Sequence, residues 1–236
     1  MRLVDTDGTE RFAGVRCSDP DVVEILRARF GDSVMPDMSV FPNVSLKIGT
    51  ARGGRREAHK LIRRGLQSML TFDLETAIEA TVWSVHGLAA PPPGVVPLHG
   101  RALIRNGTAT ILVEALTVAV DQMHRDYATA GCERVLHSPL WVDAERAELL
   151  VPRGDPALPQ FDRVPVGHLV GYSQDPVDRT SVIGRLVYLT PFITGHGCLY
   201  SSLHDLRCLL ALSQRVNVVM LKTQDRREVL QGILAL

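Results

Sequence analysis

Apolar positions along the chain recur with two periods, and the switches between them mark out the elements. Residues 12–17 alternate as a short strand, and the following stretch carries Val22, Val23, Leu26 and Phe30 at helical spacing. Ser18 or Asp19 caps that helix, Pro20 occupies its first turn and Gly31 ends it. Residues 32–43 contain two prolines and no period, which predicts a loop. Strands are expected at 44–48, 58–63 and 66–72, the last two as a hairpin. Asp73 then caps a helix whose buried face is Leu74, Ala77, Ile78, Thr81, Val82, Val85 and Leu88. Trp83 falls between these positions and is expected to be partly exposed.

The run Ala-Pro-Pro-Pro-Gly-Val-Val-Pro at 90–97 breaks the pattern and predicts a boundary between an α+β part at 1–90 and an α/β part at 91–236. Beyond it, 98–105, an Asn-Gly-Thr turn and 109–114 form a strong hairpin signal. A helix is expected over 117–130, with Leu116, Val120, Met123 and Tyr127 on one stripe. Residues 135–143 and 147–151 predict a strand pair, 152–167 an exposed proline-rich loop, and 182–189 a strand. Ser202 and Asp205 open a helix running to 213, 217–221 reads as a buried strand, and 226–236 as a closing amphipathic helix. The fold class is α/β, with a mixed α+β N-terminal part.

Charge and cysteine content narrow the function classes. Lys plus Arg and Asp plus Glu both number 26, so bulk electrostatics recruits neither nucleic acid nor a membrane surface. Residues 52–64 are the local exception, with Arg52, Arg55, Arg56, Lys60, Arg63 and Arg64 against Glu57 alone. No apolar run approaches the roughly 20 residues that span a bilayer, and the first ten residues lack the apolar stretch of a secretion signal. Cys17, Cys132, Cys198 and Cys208 are far apart and are expected to be reduced, which suits a cytoplasmic protein.

Three stretches imitate reactive motifs. Gly49, Gly53 and Gly54 have the spacing of a phosphate loop but lack its Lys and Ser/Thr, and read as a basic turn. His196, Cys198, His204 and Cys208 match no structural zinc spacing. His124 and Asp126 point to different faces of the helix expected there. No Gly-x-Ser-x-Gly elbow occurs. Neither a cofactor nor a metal is expected.

Taken together, the Ser-Asp-Pro-Asp-Val-Val-Glu-Ile-Leu-Arg-Ala-Arg-Phe-Gly element and its following strand, the hairpin and capped helix at 59–89, the strand pair at 95–113 and the ending at 217–236 resemble the HPr kinase family. The resemblance is to the HPr-kinase-related proteins found beside peptide natural-product clusters. It implies a mixed sheet flanked by helices, with a phosphate loop after the strand at 109–113. That loop, Gly-x-x-x-x-Gly-Lys-Ser/Thr, wraps phosphates in backbone N–H groups while its Lys neutralises charge. Here the strand runs into Glu-Ala-Leu-Thr-Val-Ala-Val, with no glycine or lysine from Ala109 to Ala130 and Glu114 near the phosphate position. His137, Ser138 and Pro139 stand where the family's acidic residues are expected. Phosphoryl transfer rests almost wholly on positioning and charge neutralisation, so the resemblance implies a degenerate kinase.

The resemblance further implies retained recognition of a precursor peptide and cooperation with partner biosynthetic enzymes, the crocagin pathway being one setting. Strand addition to an open sheet edge needs no catalytic residue. By location, His99, Glu114, His137 and Trp141 are the candidate peptide-binding residues, with Trp141 also readable as core. Two alternatives stay open. One is a divergent transferase or hydrolase using His99, Glu114, His137 and Asp143; the other is a structural subunit of an enzyme complex. Self-association is left open as well.

Overall fold

The computed structural model describes residues 2–4, 10–35, 42–52, 55–63, 66–86, 88, 94–113, 131–137, 140–153, 160–173, 178, 180–193, 203–222 and 225–236. Contacts divide the chain into two compact units, one chiefly of Met1–Pro92 and one chiefly of Pro93–Val118, Gln122–Val151 and Arg163–Leu236. Each carries a mixed sheet, and the fold class is α/β. No helix among the described residues is long and apolar enough to cross a membrane.

The first unit opens with a hairpin, β1 (Arg2–Val4) and β2 (Glu10–Phe12), followed by β3 (Gly14–Cys17). Helix α1 (Pro20–Phe30) starts because Asp19 Oδ1 accepts the N–H groups of Asp21 and Val22, at 3.0 and 3.2 Å. It stops because Gly31 adopts φ 52°, a region costly for any side chain. The helix carries the chain across to β4 (Pro42–Lys47), which pairs parallel with β3, as a parallel connection requires. A small hairpin of β5 (Ala51–Arg52) and β6 (Arg55–Arg56) lies where the sequence predicts a basic turn. Strands β7 (His59–Arg63) and β8 (Leu66–Thr71) then pair antiparallel, completing the order β3-β4-β7-β8.

Helix α2 (Leu74–His86) is capped by Asp73, whose Oδ2 accepts from the N–H and hydroxyl of Thr76 at 2.8 and 2.6 Å. Its buried surface is wider than the periodic stripe. Thr76, Ala80, Trp83 and Ser84 are buried too, and Trp83 is 6% exposed, not partly exposed as its register suggests. The physical reason is that a helix enclosed on several sides buries positions between the stripes. Val22, Leu26 and Phe30 of α1 share a core with Val44, Leu46, Leu61, Met69, Ala77 and Ile78. Full burial of one such side chain contributes about 1.5–3 kcal/mol.

The second unit holds an eight-stranded sheet. Its strands are β9 (Val95–Leu98), β10 (Arg101–Arg105), β11 (Thr108–Leu112), β12 (Arg134–His137), β13 (Leu140–Asp143), β14 (Glu148–Arg153), β15 (Gln160–Tyr172) and β16 (Asn217–Leu221). The order is β12-β10-β11-β15-β14-β13-β9, with β16 also paired to β15. The β10–β11 hairpin turns through Asn106 (φ 50°) and Gly107 (φ 68°), the left-handed pair that its Asn-Gly signal demands. Helices α3 (Val182–Ile193), α4 (Leu203–Arg215) and α5 (Arg226–Leu234) complete the described elements, with α4 packing on α3, β9 and β16.

Several sequence expectations are corrected here. Residues 182–189 are the start of α3, not a strand. Ser181 Oγ accepts the N–H of Gly184 at 3.0 Å as a helix cap, and Tyr188, Leu189 and Phe192 are buried at helical spacing. The loop expected over 152–167 is β15 from Gln160 onward. Pro165 is exposed there and sits just before Val166, the first residue paired with β11, so its missing N–H leaves that parallel ladder intact. The strand expected over 135–143 is two strands, and Val95–Leu98, read as part of a breaker, is a strand paired with β13. Strand β16 is half-buried at the sheet margin, not enclosed. The helix expected over 117–130 lies outside the described residues.

Candidate functional site

Two of the positions chosen from sequence, His99 and His137, flank a corner. Segments 95–105 and 134–143 pair antiparallel in one register, from Ile104 opposite Arg134 to Arg101 opposite His137, then from Leu98 opposite Leu140 to Val95 opposite Asp143. His99 and Gly100 form the break on one arm. Gly100 has φ 150°, and a Cβ there would strike the carbonyl oxygen of Leu112. The His99 N–H donates to the Phe192 carbonyl at 2.9 Å, and its side chain is 6% exposed. His137 ends β12 beside this corner. Trp141, 5% exposed, lies one residue beyond it, paired with Pro97 and Leu150 inside the sheet. Glu114 lies outside the described residues. Asp143 is at the far end of β13, where Oδ2 accepts from Arg163 at 3.1 Å and Oδ1 from the Arg146 N–H at 3.0 Å. By backbone register the corner therefore lies between the His99 and His137 positions, while Trp141 is buried and Asp143 is elsewhere.

The described part of this unit also contains a groove that the sequence reading did not single out. It encloses about 530 Å³ between the amino-terminal end of β11, the adjoining strands and the last turns of α5. Leu230, Ile233, Leu234 and Leu236 supply its apolar wall. Arg105, Thr108, Thr110, Cys132 and His168 supply the polar one. Register explains their convergence: Leu103 lies opposite Thr110, Thr110 beside His168, and His168 beside Asn217. One row of side chains thus crosses four strands from the groove to the sheet margin.

Two polar groups of the groove are shaped by burial. His168 Nδ1 is buried without a hydrogen-bond partner, and satisfying such an atom favours a polar ligand. Burial pushes the Cys132 thiol above its ordinary range, against the smaller opposing pull of the Arg105 charge. It is therefore a protonated thiol near neutrality, the reverse of an activated nucleophile. Among the described residues no three His, Cys, Asp or Glu side chains gather as a metal set. Of the zinc-like set, His196 and Cys198 lie outside the described residues, as do His124 and Asp126.

The margin beyond Asn217 is the second component. Strands β11, β15 and β16 are parallel, and among the described residues β16 pairs with β15 alone. Val218, Val219, Met220 and Leu221 are each half-buried. The signal for this region was the apolar run around His168, which Pro165 masked by arguing against a strand.

No family model, curated protein or solved structure matches the chain.

Proposed function

We propose that this chain is a peptide-binding protein whose ligand adds as an extended strand along β16 and places side chains toward the groove beside α5. The observation that carries the reading is the groove beside α5, with the half-buried, apolar β16 at the end of the row of side chains that leads from it. Backbone pairing supplies affinity in this mode, and pockets for alternate side chains supply specificity. The row from Leu103 through Thr110 and His168 to Asn217 continues the groove's face to that margin.

The sequence resemblance to degenerate HPr-kinase-related proteins supports a precursor peptide of a ribosomally made natural product as the ligand, held for partner enzymes as in a crocagin-type pathway. The protonated state of Cys132 supports binding over nucleophilic catalysis in the groove. Calorimetric titration with the precursor peptide, and separately with ATP and magnesium, tests the reading. Micromolar peptide binding, with slowed deuterium exchange at the β16 amides, is the expected result. Tight ATP binding, or peptide binding that leaves β16 exchange unchanged, refutes it.

A second reading, a structural subunit, is favoured by α3, where Val182, Ile183 and Val187 are exposed and Ile183 reaches 75%. Side chains of this kind in water mark contact surfaces when they cluster. If Ile183→Glu separates the chain from a biosynthetic enzyme without changing peptide affinity, that role is additional to binding.

A further inference from the structure

We infer that the outer face of the four-stranded sheet in the first unit is a docking surface for an acidic polypeptide segment. The inference is independent of peptide addition at β16. From Pro42 to Thr71 the chain carries seven Lys or Arg residues, Lys47, Arg52, Arg55, Arg56, Lys60, Arg63 and Arg64, against one acid, Glu57. Strands β3, β4, β7 and β8 contain no Asp or Glu at all. Helices α1 and α2 cover one face of this sheet, burying Leu46, Leu61 and Met69. On the other face, register aligns Lys47, Lys60 and Leu70 across three strands, and all three side chains are exposed. The adjacent row runs from exposed Arg16 through Ser45 to Ile62.

The two signs of charge are segregated within the unit. Glu24 is paired with Arg27 at 2.7 Å, and Glu75 and Glu79 with Arg29 at 3.0 and 3.3 Å, all on the helices. Asp19 and Asp73 are committed to helix caps. Arg16, Lys47 and Lys60 form no ion pair among the described residues, so the sheet face keeps its charge. The β4–β7 ribbon continues in the same register into β5–β6, and within it Lys47 lies directly opposite Lys60. Like charges directly opposite on a ribbon are destabilising, and an anion between them removes that cost. From Val44 to Arg52 the ribbon spans on the order of 30 Å, the length of an extended segment of about nine residues.

The composition of the face selects the class of anion. Ile62 and the 46%-exposed Leu70 stand in the same rows as the cations, which suits a strand alternating acidic and apolar side chains. The six strands of this region contain no Phe, Tyr or Trp on which bases stack. A membrane surface is served by an amphipathic basic helix, whereas this face is a sheet.

The test uses the full chain and a fluorescein-labelled (Glu-Val)5 peptide, read by anisotropy at about 50 mM salt, where screening is weak. A (Lys-Val)5 peptide, a labelled oligothymidylate and phosphatidylserine vesicles are the comparisons. Binding of the acidic peptide alone, weakened at least tenfold in Lys47→Glu/Lys60→Glu with an unchanged circular dichroism melt, is expected. Should that pair unfold the chain, Arg16→Glu on the neighbouring strand reads the same effect. Absence of binding by the acidic peptide, equal binding by the variants, or stronger binding of the oligonucleotide or vesicles overturns the proposal. Retained β16 protection by a precursor peptide in Lys47→Glu/Lys60→Glu separates this surface from the edge site.

Discussion

Asp178 shows how much a single side chain can disclose about its surroundings. Its carboxylate accepts from the Thr180 hydroxyl and N–H at 2.6 and 2.8 Å, and these bonds hold its pKa down at about 2, below an ordinary 3.8. Because the folded value is the lower one, its stabilising contribution is complete above about pH 4 and disappears as pH falls toward 2. Carboxyl-carbon NMR should give a midpoint near 2 in the native protein, moving toward the ordinary range in Thr180→Ala. A native midpoint near 4 shows that the hydroxyl bond is not formed. Residue-level features of this kind were legible wherever the chemistry is local: Asp19, Asp73, Gly31 and the Asn106-Gly107 turn all do what their sequence positions announce. His168 was not legible, because its importance depends on Thr110 and Asn217, far away in sequence but beside it in the sheet.

Elements were legible where one periodic face meets one core, and misread where tertiary surroundings override local preference. Helix α1 follows its pattern of Val22, Leu26 and Phe30. Helix α3 begins Val-Ile and contains Val187, β-branched residues that suit a strand, yet Ser181 caps it and Phe192 is fully buried. Removing the cap as Ser181→Ala should cost about 1 kcal/mol in urea unfolding. Phe192→Ala should cost more, about 3–5 kcal/mol, through the cavity it leaves. Equal effects of the two substitutions show that α3 is held by its cap and not by its packing. Strand β15 was missed for a different reason: Pro165 argues against a strand unless the ladder partners on either side of it are known.

At the scale of the whole molecule, a formal charge of zero conceals a strongly uneven distribution. The two proposals divide recognition between an apolar surface based on backbone pairing and a basic one. The two surfaces respond differently to salt, since screening weakens exposed charge contacts and leaves strand pairing nearly unchanged. Between about 50 and 300 mM salt, acidic-peptide affinity should fall at least tenfold, whereas precursor-peptide affinity should change less than about threefold. Parallel loss of both affinities across a salt titration shows that one charged surface serves both ligands. The sequence showed the basic segment 52–64 plainly but not its face, because Arg16 joins it only through strand pairing. It also directed attention to the corner of His99 and His137 and away from the groove, since the rule that sites sit at strand carboxyl ends ignores what a terminal helix encloses. The single register shared by both halves of the 95–105 and 134–143 ribbon carries an evolutionary corollary. A one-residue insertion at His99–Gly100 would turn every inward side chain of one half outward unless the opposing arm lengthened by one as well. An insertion at this corner is therefore expected to be tolerated only where the opposing arm lengthens with it or the extra residue is taken up as a bulge in the break itself.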